Sequence, residues 1–401
     1  MSRGQTRAEA VRSSSPKRIV SIDILRGVTV AFMIIVNNPG DWNKVWPPLE
    51  HAAWNGCTPA DLVFPFFLFL MGCVIPFSFD RRLKEGAQRR QLMVHIVWRG
   101  VALVGLKLLL SLYPFFHFGH LRFFGVLTRI ALCYVAAASL YLWSRNAGFL
   151  LAVIGFILLA YWGILYALPV PGLGWPGQDF PFLDPASNMA AWLDRQVSAW
   201  CKTWLHTGVL YEQTWDPEGL LSTFPAIAST LSGVLAGQIF RRKDIPAARR
   251  PMLFVVAGVA SILLGLLWGA FFPLNKSLWT SSFMLVSSGA ALCCLAVCDA
   301  IFDIFMLQER SAAIRSVGTF FQIFGMNAVF AFLFSGFVAK TLPLLPSPLA
   351  GAPSLQGALY HALLAGHLSS PLTSFLFSCF FLIIVFIPLY AFYRRRIFIK
   401  L

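Results

Sequence analysis

The sequence predicts an all-α integral membrane protein, a polytopic bundle of about ten transmembrane helices with both termini cytoplasmic. Three observations lead there. Hydrophobic residues make up 58% of the 401-residue chain and charged residues 12%, where a soluble domain carries about 25% charged; mean hydropathy is +0.70. Apolar runs of about 20 residues, the length that crosses a bilayer as a helix, recur along the chain. Lys and Arg cluster between those runs: with alternating sides, 22 fall on one face, 6 on the other and 4 within the spans. The basic face is therefore read as cytoplasmic. The same clustering turns the net charge of +15 away from a nucleic-acid partner and toward a lipid bilayer.

The first 17 residues are a polar, basic tail, read as disordered and cytoplasmic, and residues 18–401 as one membrane domain. The first span, 19–36, contains Asp23 and Arg26 and ends without a small-residue cleavage site. It is read as a retained helix, not a signal peptide. The second, 61–79, opens on "TPAD": Thr58 caps, Pro59 suits the first position and Asp61 completes a capping box. The third to fifth are 92–112, 123–143 and 149–168. The sixth, 220–240, follows "WDPEG", with Asp216 as cap, Pro217 as start and Glu218 in the first turn. The seventh and eighth are 252–272 and 278–300. The ninth, 317–338, carries Asn327 inside it, where an amide must find a partner. The tenth, 372–393, runs into "RRRIFIKL".

Three outer segments are long, 37–60, 169–219 and 339–371, and rich in Trp, Pro and Gly. Long aromatic loops gathered on one face point to a site there. No internal repeat is evident, so the inverted-repeat signature of many transporters is missing. The eight cysteines show no CxxC or Cys/His spacing, and no metal is expected. Cys57 and Cys201 share the outer side, which leaves a disulfide between them open.

Within the outer segments, "HAAWNGCTPADLVFPFFLFLMG" gathers a polar cluster at the lip of an apolar helix. His51 is too far ahead of the helix to cap it. Asp61 is explained as a cap, yet a carboxylate there also orients a neighbouring imidazole. Asn37, Asn38, Trp54 and Asn55 converge on the same mouth, because the first span ends where the second begins.

Charges inside spans are costly, about 2.5–3.5 kcal/mol each on insertion scales. Asp23 and Arg26, three apart, share a face and pair. Arg99 lies near the cytoplasmic end of the third span. Arg129, in the outer half of the fourth, has no acid at helical spacing, so its partner comes from another helix, a ligand or Asp61. "FPLNKSLWTSS" opens the eighth span and brings Trp279 to the outer face. One pattern is set aside: Gly172, Gly174 and Gly177 spell GxGxxG, but in an outer loop without strand–turn–helix context.

"SIDILRGVTVAFMIIVNNPG" followed by "HAAWNGCTPADLVFPFFLFLMG" resembles the heparan-α-glucosaminide N-acetyltransferase family, in its bacterial branch. "RFFGVLTRIALCY", "WDPEGLLSTFPAIASTLSGVLAG", "FPLNKSLWTSSF", "FGMNA" and "RRRIFIKL" extend the resemblance from about residue 18 to 401. The lysosomal member's luminal domain and further N-terminal helix have no counterpart in this sequence. The resemblance implies transfer of an acetyl group from cytosolic acetyl-CoA to an amino sugar across a bacterial inner membrane. It implies His51, Asn37 and Asp61 as the catalytic set, and leaves open whether the acetyl group rests on the histidine.

The residue types suit that chemistry. An imidazole titrating near about 6.5 is a suitable base for an attacking amine, and in a covalent route it is the nucleophile. Asn37 is placed to donate to an oxyanion. Arg26 and Arg99, with Asp23 and Arg129, are the cofactor-side candidates, since the 3′-phospho-ADP end of CoA needs cations. Asn38, Trp54, Asn55, Asp216, Glu218, Trp279 and Asn327 are the acceptor-side candidates. The alternative is a proton-coupled transporter of a sugar or anionic solute, with the arginines binding substrate and His51 carrying protons. Oligomeric state stays open, a homodimer among the options.

Overall fold

A computed structural model describes residues 19–347, 354–364 and 370–399; the predicted tail over 1–17 and part of the third outer segment lie outside the described residues. All described secondary structure is helical apart from two isolated bridges. In chain order the helices are α1 Val20–Asn37, α2 Val63–Lys84, α3 Arg89–Leu112, α4 Val126–Trp143, α5 Ala147–Ala167, α6 Met189–Leu205, α7 Thr223–Arg241, α8 Arg250–Gly269 and α9 Ser281–Cys298. After α9, a π-helical turn over Asp299–Ile304 and a short turn over Leu307–Arg310 lead to α10 Ala312–Met326, α11 Ala328–Thr341, α12 Leu355–Leu364 and α13 Ser370–Arg394. Nine described stretches are long and apolar enough to cross a membrane, and the bent pair α10–α11 makes a tenth. The protein is a multi-pass membrane protein, and nine of its spans fall where the hydropathy runs place them, with the bent pair at the ninth run.

Close helix contacts rest on glycine. A Cβ at Gly27 of α1 would lie 1.7 Å from the Phe321 carbonyl oxygen, and one at Gly325 of α10 would lie 1.9 Å from that of Asp23. The same reciprocal fit joins α2 to α7 through Gly72 and Gly233. Small residues let backbones approach where lipid supplies no hydrophobic drive for association. Burial is lowest on the outer helices: Leu263 and Leu267 of α8 are exposed, as lipid-facing residues should be.

The structure corrects two expectations and adds two findings on points the sequence left open. The ninth span is not one helix: α10 and α11 meet at 80°, and Asn327 sits in the break instead of inside a helix. Its amide donates to the Ile397 carbonyl (3.2 Å) and its oxygen accepts from the Ile399 amide (2.9 Å), so the C-terminal segment supplies the partner the sequence demanded. Arg26 supports the same break, donating from Nε to the Gly325 carbonyl (2.8 Å) while pairing with Asp23.

Second, α7 begins at Thr223, so Asp216 does not cap it. The Asp216 carboxylate instead takes a two-pronged bond from Arg122 (2.7 and 2.5 Å) and stops the chain in a turn before the helix. Third, the outer segments are not irregular throughout: they hold α6 and α12. Asn188 caps α6, accepting from the Ala191 amide (2.9 Å), and Trp200 and Trp204 stand exposed along it, the placement of an interfacial helix. Fourth, Cys57 and Cys201 are both free thiols.

Candidate active site

The site grows from the 3₁₀ turn Pro59–Leu62 that precedes α2. Thr58 and Asp61 form the capping box that their spacing predicts. The box orients the Asp61 carboxylate, which is buried to 1% exposure. Oδ2 accepts from the Thr58 amide (3.0 Å), the Thr58 hydroxyl (3.1 Å) and the Ala52 amide (3.1 Å). Oδ1 lies 2.8 Å from Nδ1 of His51. A carboxylate only accepts, so Nδ1 carries the hydrogen and the Nε2 lone pair is left for other chemistry. Cap and imidazole-orienting group are one residue.

His51 stands on the rim, its side chain 42% exposed. Beneath it a cavity of about 150 Å³ enters the bundle, a volume that holds a benzene-sized group. Asn37, Glu218 and Lys276 line its mouth with His51; Met33, Phe67, Ile130 and Phe332 are among the apolar residues of its walls. The cavity therefore joins the ends of α1 and the beginnings of α2, α4 and α11.

Lys276 has no role in the sequence reading beyond being counted in an outer loop. Its Nζ lies 3.0 Å from Nδ1 and 3.3 Å from Nε2 of His51, and 3.4 Å from Asp61. Burial lowers its proton affinity, and the charges of Asp61 and Glu218 act against that. The signal for it was present: a lysine in a short loop on the side that is otherwise poor in Lys and Arg.

A second polar cluster adjoins the mouth. Arg122 bonds both carboxylates, Asp216 and Glu218. Arg122 too was unassigned in the sequence, because its partners lie 94 and 96 residues away. Arg129 is 1% exposed. It finds its partners on α7 and its approach, the Gly219 carbonyl (3.1 Å) and the Ser222 hydroxyl, with its guanidinium over the Trp279 ring at 5.2 Å. Trp279 is itself buried, donating to Ser229 (3.0 Å). Neither Arg129 nor Trp279 lines the cavity.

The other candidates are placed as follows. Asn38 donates back to the Ile34 carbonyl (2.7 Å) and ends α1. Trp54 donates to the Leu183 carbonyl (2.9 Å) and packs edge-on against Trp215. Asn55 accepts from Asn275 (3.2 Å), fixing the Lys276 loop against the His51 segment. Arg99 lies over Tyr134 and donates to its hydroxyl (3.1 Å), near the middle of α3. Asp23, Arg26 and Asn327 gather at the helix break. The structure thus brings together His51, Asp61, Asn37 and Glu218; of the cofactor-side candidates, Asp23 and Arg26 lie at the helix break and Arg99 on α3, away from the cavity lining, while Arg129 sits beside the second polar cluster.

Two further titrating groups near the mouth are shifted. Burial and the Asp61 charge push the Cys57 thiol up to about 11, so it is not a nucleophile near neutrality. Burial pushes the Asp194 carboxyl on α6 up to about 7, against the bond it accepts from the Leu220 amide. Its ordinary value is 3.8. Below that value the group is neutral in folded and unfolded chains alike. Between about 4 and 7 the unfolded chain ionises first, so folding stability falls as pH rises, at about 1.4 kcal/mol per pH unit. We expect Asp194→Asn to flatten the melting temperature across that window, measured by thermal unfolding from pH 4 to 8.

Fold and site together define a polytopic helical membrane protein with an imidazole–carboxylate pair set over a cavity at one end of its bundle. The chain belongs to the heparan-α-glucosaminide N-acetyltransferase family. Residues 18–266 match the family profile described as "Heparan-alpha-glucosaminide N-acetyltransferase, catalytic". Proteins of that name from Homo sapiens and Mus musculus are each 30% identical to it over 364 residues, 80% of this chain. The match covers 53% and 54% of those proteins, so the chain spans about half the length of the curated relatives it matches.

Proposed function

We propose that this chain is a transmembrane N-acetyltransferase. It takes the acetyl group of acetyl-CoA, bound from the basic cytoplasmic side, to the amino group of glucosamine or a related amino sugar on the His51 side. The membrane is a bacterial inner membrane. The observation that carries this reading is the His51–Asp61 pair set over a cavity that leads from the rim into the bundle. Family membership supports it, and so does the 22-to-6 distribution of Lys and Arg, which sets the basic end as cytoplasmic.

The chemistry follows from the placement. Nδ1–H is held by Asp61, so Nε2 takes a proton from the sugar ammonium and the freed amine attacks the thioester carbonyl. Asn37 donates to the oxyanion that forms. The C–N bond forms, the C–S bond breaks, and the imidazolium returns its proton to the departing thiolate; the neutral Nε2 then takes the second proton, lost by the acylated nitrogen, and releases it to solvent. In a two-step route the same Nε2 first accepts the acetyl group and then yields it to the amine. The apolar wall of the cavity suits a pantetheine arm. The nucleotide phosphates are assigned to Arg26 and Arg99, with Asp23 and Arg129 behind them. The sugar is assigned to Glu218 and Trp54 at the rim, with Asn38, Asn55 and Asp216 supporting that wall; Trp279 and Asn327, bonded to Ser229 and to the C-terminal segment, lie away from it.

The test is made in sealed proteoliposomes, with acetyl-CoA supplied on one side and glucosamine on the other. We expect N-acetylglucosamine to appear on the glucosamine side, together with free CoA thiol on the other. Glucosamine flux without acetyl-CoA and without acetylation would establish the transporter alternative instead.

A further inference from the structure

Asp61 poses a charge problem that the capping box does not solve. Its carboxylate is 1% exposed and accepts from two amides and a hydroxyl, all of them neutral donors. A buried anion needs a counter-charge as well as hydrogen bonds. Two groups are close enough to Oδ1 to supply it: His51 at 2.8 Å, if its ring carries a second proton, and Lys276 at 3.4 Å.

The geometry points to Lys276. An ammonium donating to the Nε2 lone pair would lie in the ring plane, much farther from Nδ1 than from Nε2. Its distances of 3.0 and 3.3 Å to the two ring nitrogens are nearly equal, so it sits against the face of the ring. It leaves the lone pair unused and places a positive charge where a second proton on the ring would be repelled. A lysine also keeps its proton to far higher pH than an imidazole, about 10.4 against about 6.5 in model peptides.

The other charged or titrating groups around the pair do not compete. Glu218 faces the same cavity but is bonded by Arg122, which also holds Asp216. The Cys57 thiol is uncharged near neutrality.

We propose that Lys276 is the counter-charge of Asp61, so that His51 remains an uncharged base with its Nε2 lone pair open to the substrate. Lys276 is thus a positioning residue for the transfer, acting through Asp61 and His51. The proposal rests on the acetyltransferase reading for its purpose, but not for its test. In that reaction the cation has a second effect: it makes the imidazolium formed by proton uptake short-lived, which favours return of the proton to the thiolate.

The test reads the protonation of His51 directly. Diethyl pyrocarbonate modifies neutral imidazole, and peptide mass spectrometry follows its rate at His51 as pH is varied. In Lys276→Gln the uncompensated Asp61 draws a proton onto the ring. The midpoint of modification should move upward by roughly one pH unit, a tenfold change in proton affinity. The acid limb of N-acetylation should move with it. Lys276→Arg should leave the midpoint in place, and Lys276→Gln combined with Asp61→Asn, which removes both charges, should bring it back. An unmoved midpoint in folded Lys276→Gln protein overturns the proposal. Should that variant not fold, the double variant decides: both charges are gone there, and a midpoint displaced from wild type overturns it as well. A moved midpoint in a protein that acetylates no amino sugar would uphold the charge assignment while rejecting the acetyltransferase reading.

Discussion

Replacing His51 by alanine is expected to lower N-acetylation by about 10²–10⁴-fold, the range a positioned general base supplies. The loss should appear in kcat, because the cavity walls beneath the ring are untouched and acetyl-CoA still has its apolar path. The fold should survive, since the ring is partly exposed and Asp61 keeps the Thr58 and Ala52 donors and Lys276. Initial rates at saturating acetyl-CoA, with a melting curve on the same sample, separate the two effects. A His51→Ala protein that acetylates at the wild-type rate would remove the imidazole from the reaction altogether.

The largest effect on stability is expected at Arg122. Its guanidinium is the shared partner of Asp216, whose side chain is fully buried, and of Glu218, which is 14% exposed. Arg122→Leu leaves two largely buried carboxylates without the cation that bonds them both. Breaking a buried pair from one side costs about 3–5 kcal/mol, and the loss should show as a marked drop in melting temperature. Changing Asp216 and Glu218 to apolar residues of similar size in the same protein should restore much of it, because the cost lies in the stranded charges. Arg122→Leu melting with the wild type would mean that the cluster carries no stability. The same substitution should also disturb the wall of the acceptor mouth, since Glu218 lines the cavity.

Residues whose partners are close along the chain are legible in the amino-acid sequence alone. The Thr58–Asp61 box is a three-residue pattern, and it forms. The Asp23–Arg26 pair is one helical turn apart, and it forms. The spans follow from hydropathy alone, because lipid leaves the backbone no alternative to a helix. The ninth span failed for a reason of the same physics: a broken helix is tolerated in a membrane where other groups satisfy its freed polar atoms, and those groups come from Arg26 and from residues some 70 positions away.

Asp216 misled for a related reason. An aspartate before a proline is a good local cap, and Asp216 does accept the Glu218 amide (2.9 Å), but its carboxylate is also held by Arg122 from 94 residues away, and α7 starts only at Thr223. Lys276 was hidden because its partners are 215 and 225 residues distant. Trp279 and Arg129 look functional in sequence, as a tryptophan and a lone intramembrane charge. In the structure the Arg129 guanidinium lies over the Trp279 ring and donates from one nitrogen to the Gly219 carbonyl and the Ser222 hydroxyl, while its Nε and Nη1 are buried without a hydrogen-bond partner among the described residues, and Trp279 donates to Ser229.

The clasp at Asn327 bears on how the chain is made. Its two bonds reach Ile397 and Ile399, residues that leave the ribosome after all ten spans have been synthesised. Until then the kink between α10 and α11 has an unanswered amide, and the middle of the bundle waits on the segment that follows α13 to settle. A stop codon before residue 397 deletes that stretch, so truncation there belongs among the changes to avoid when the protein is produced.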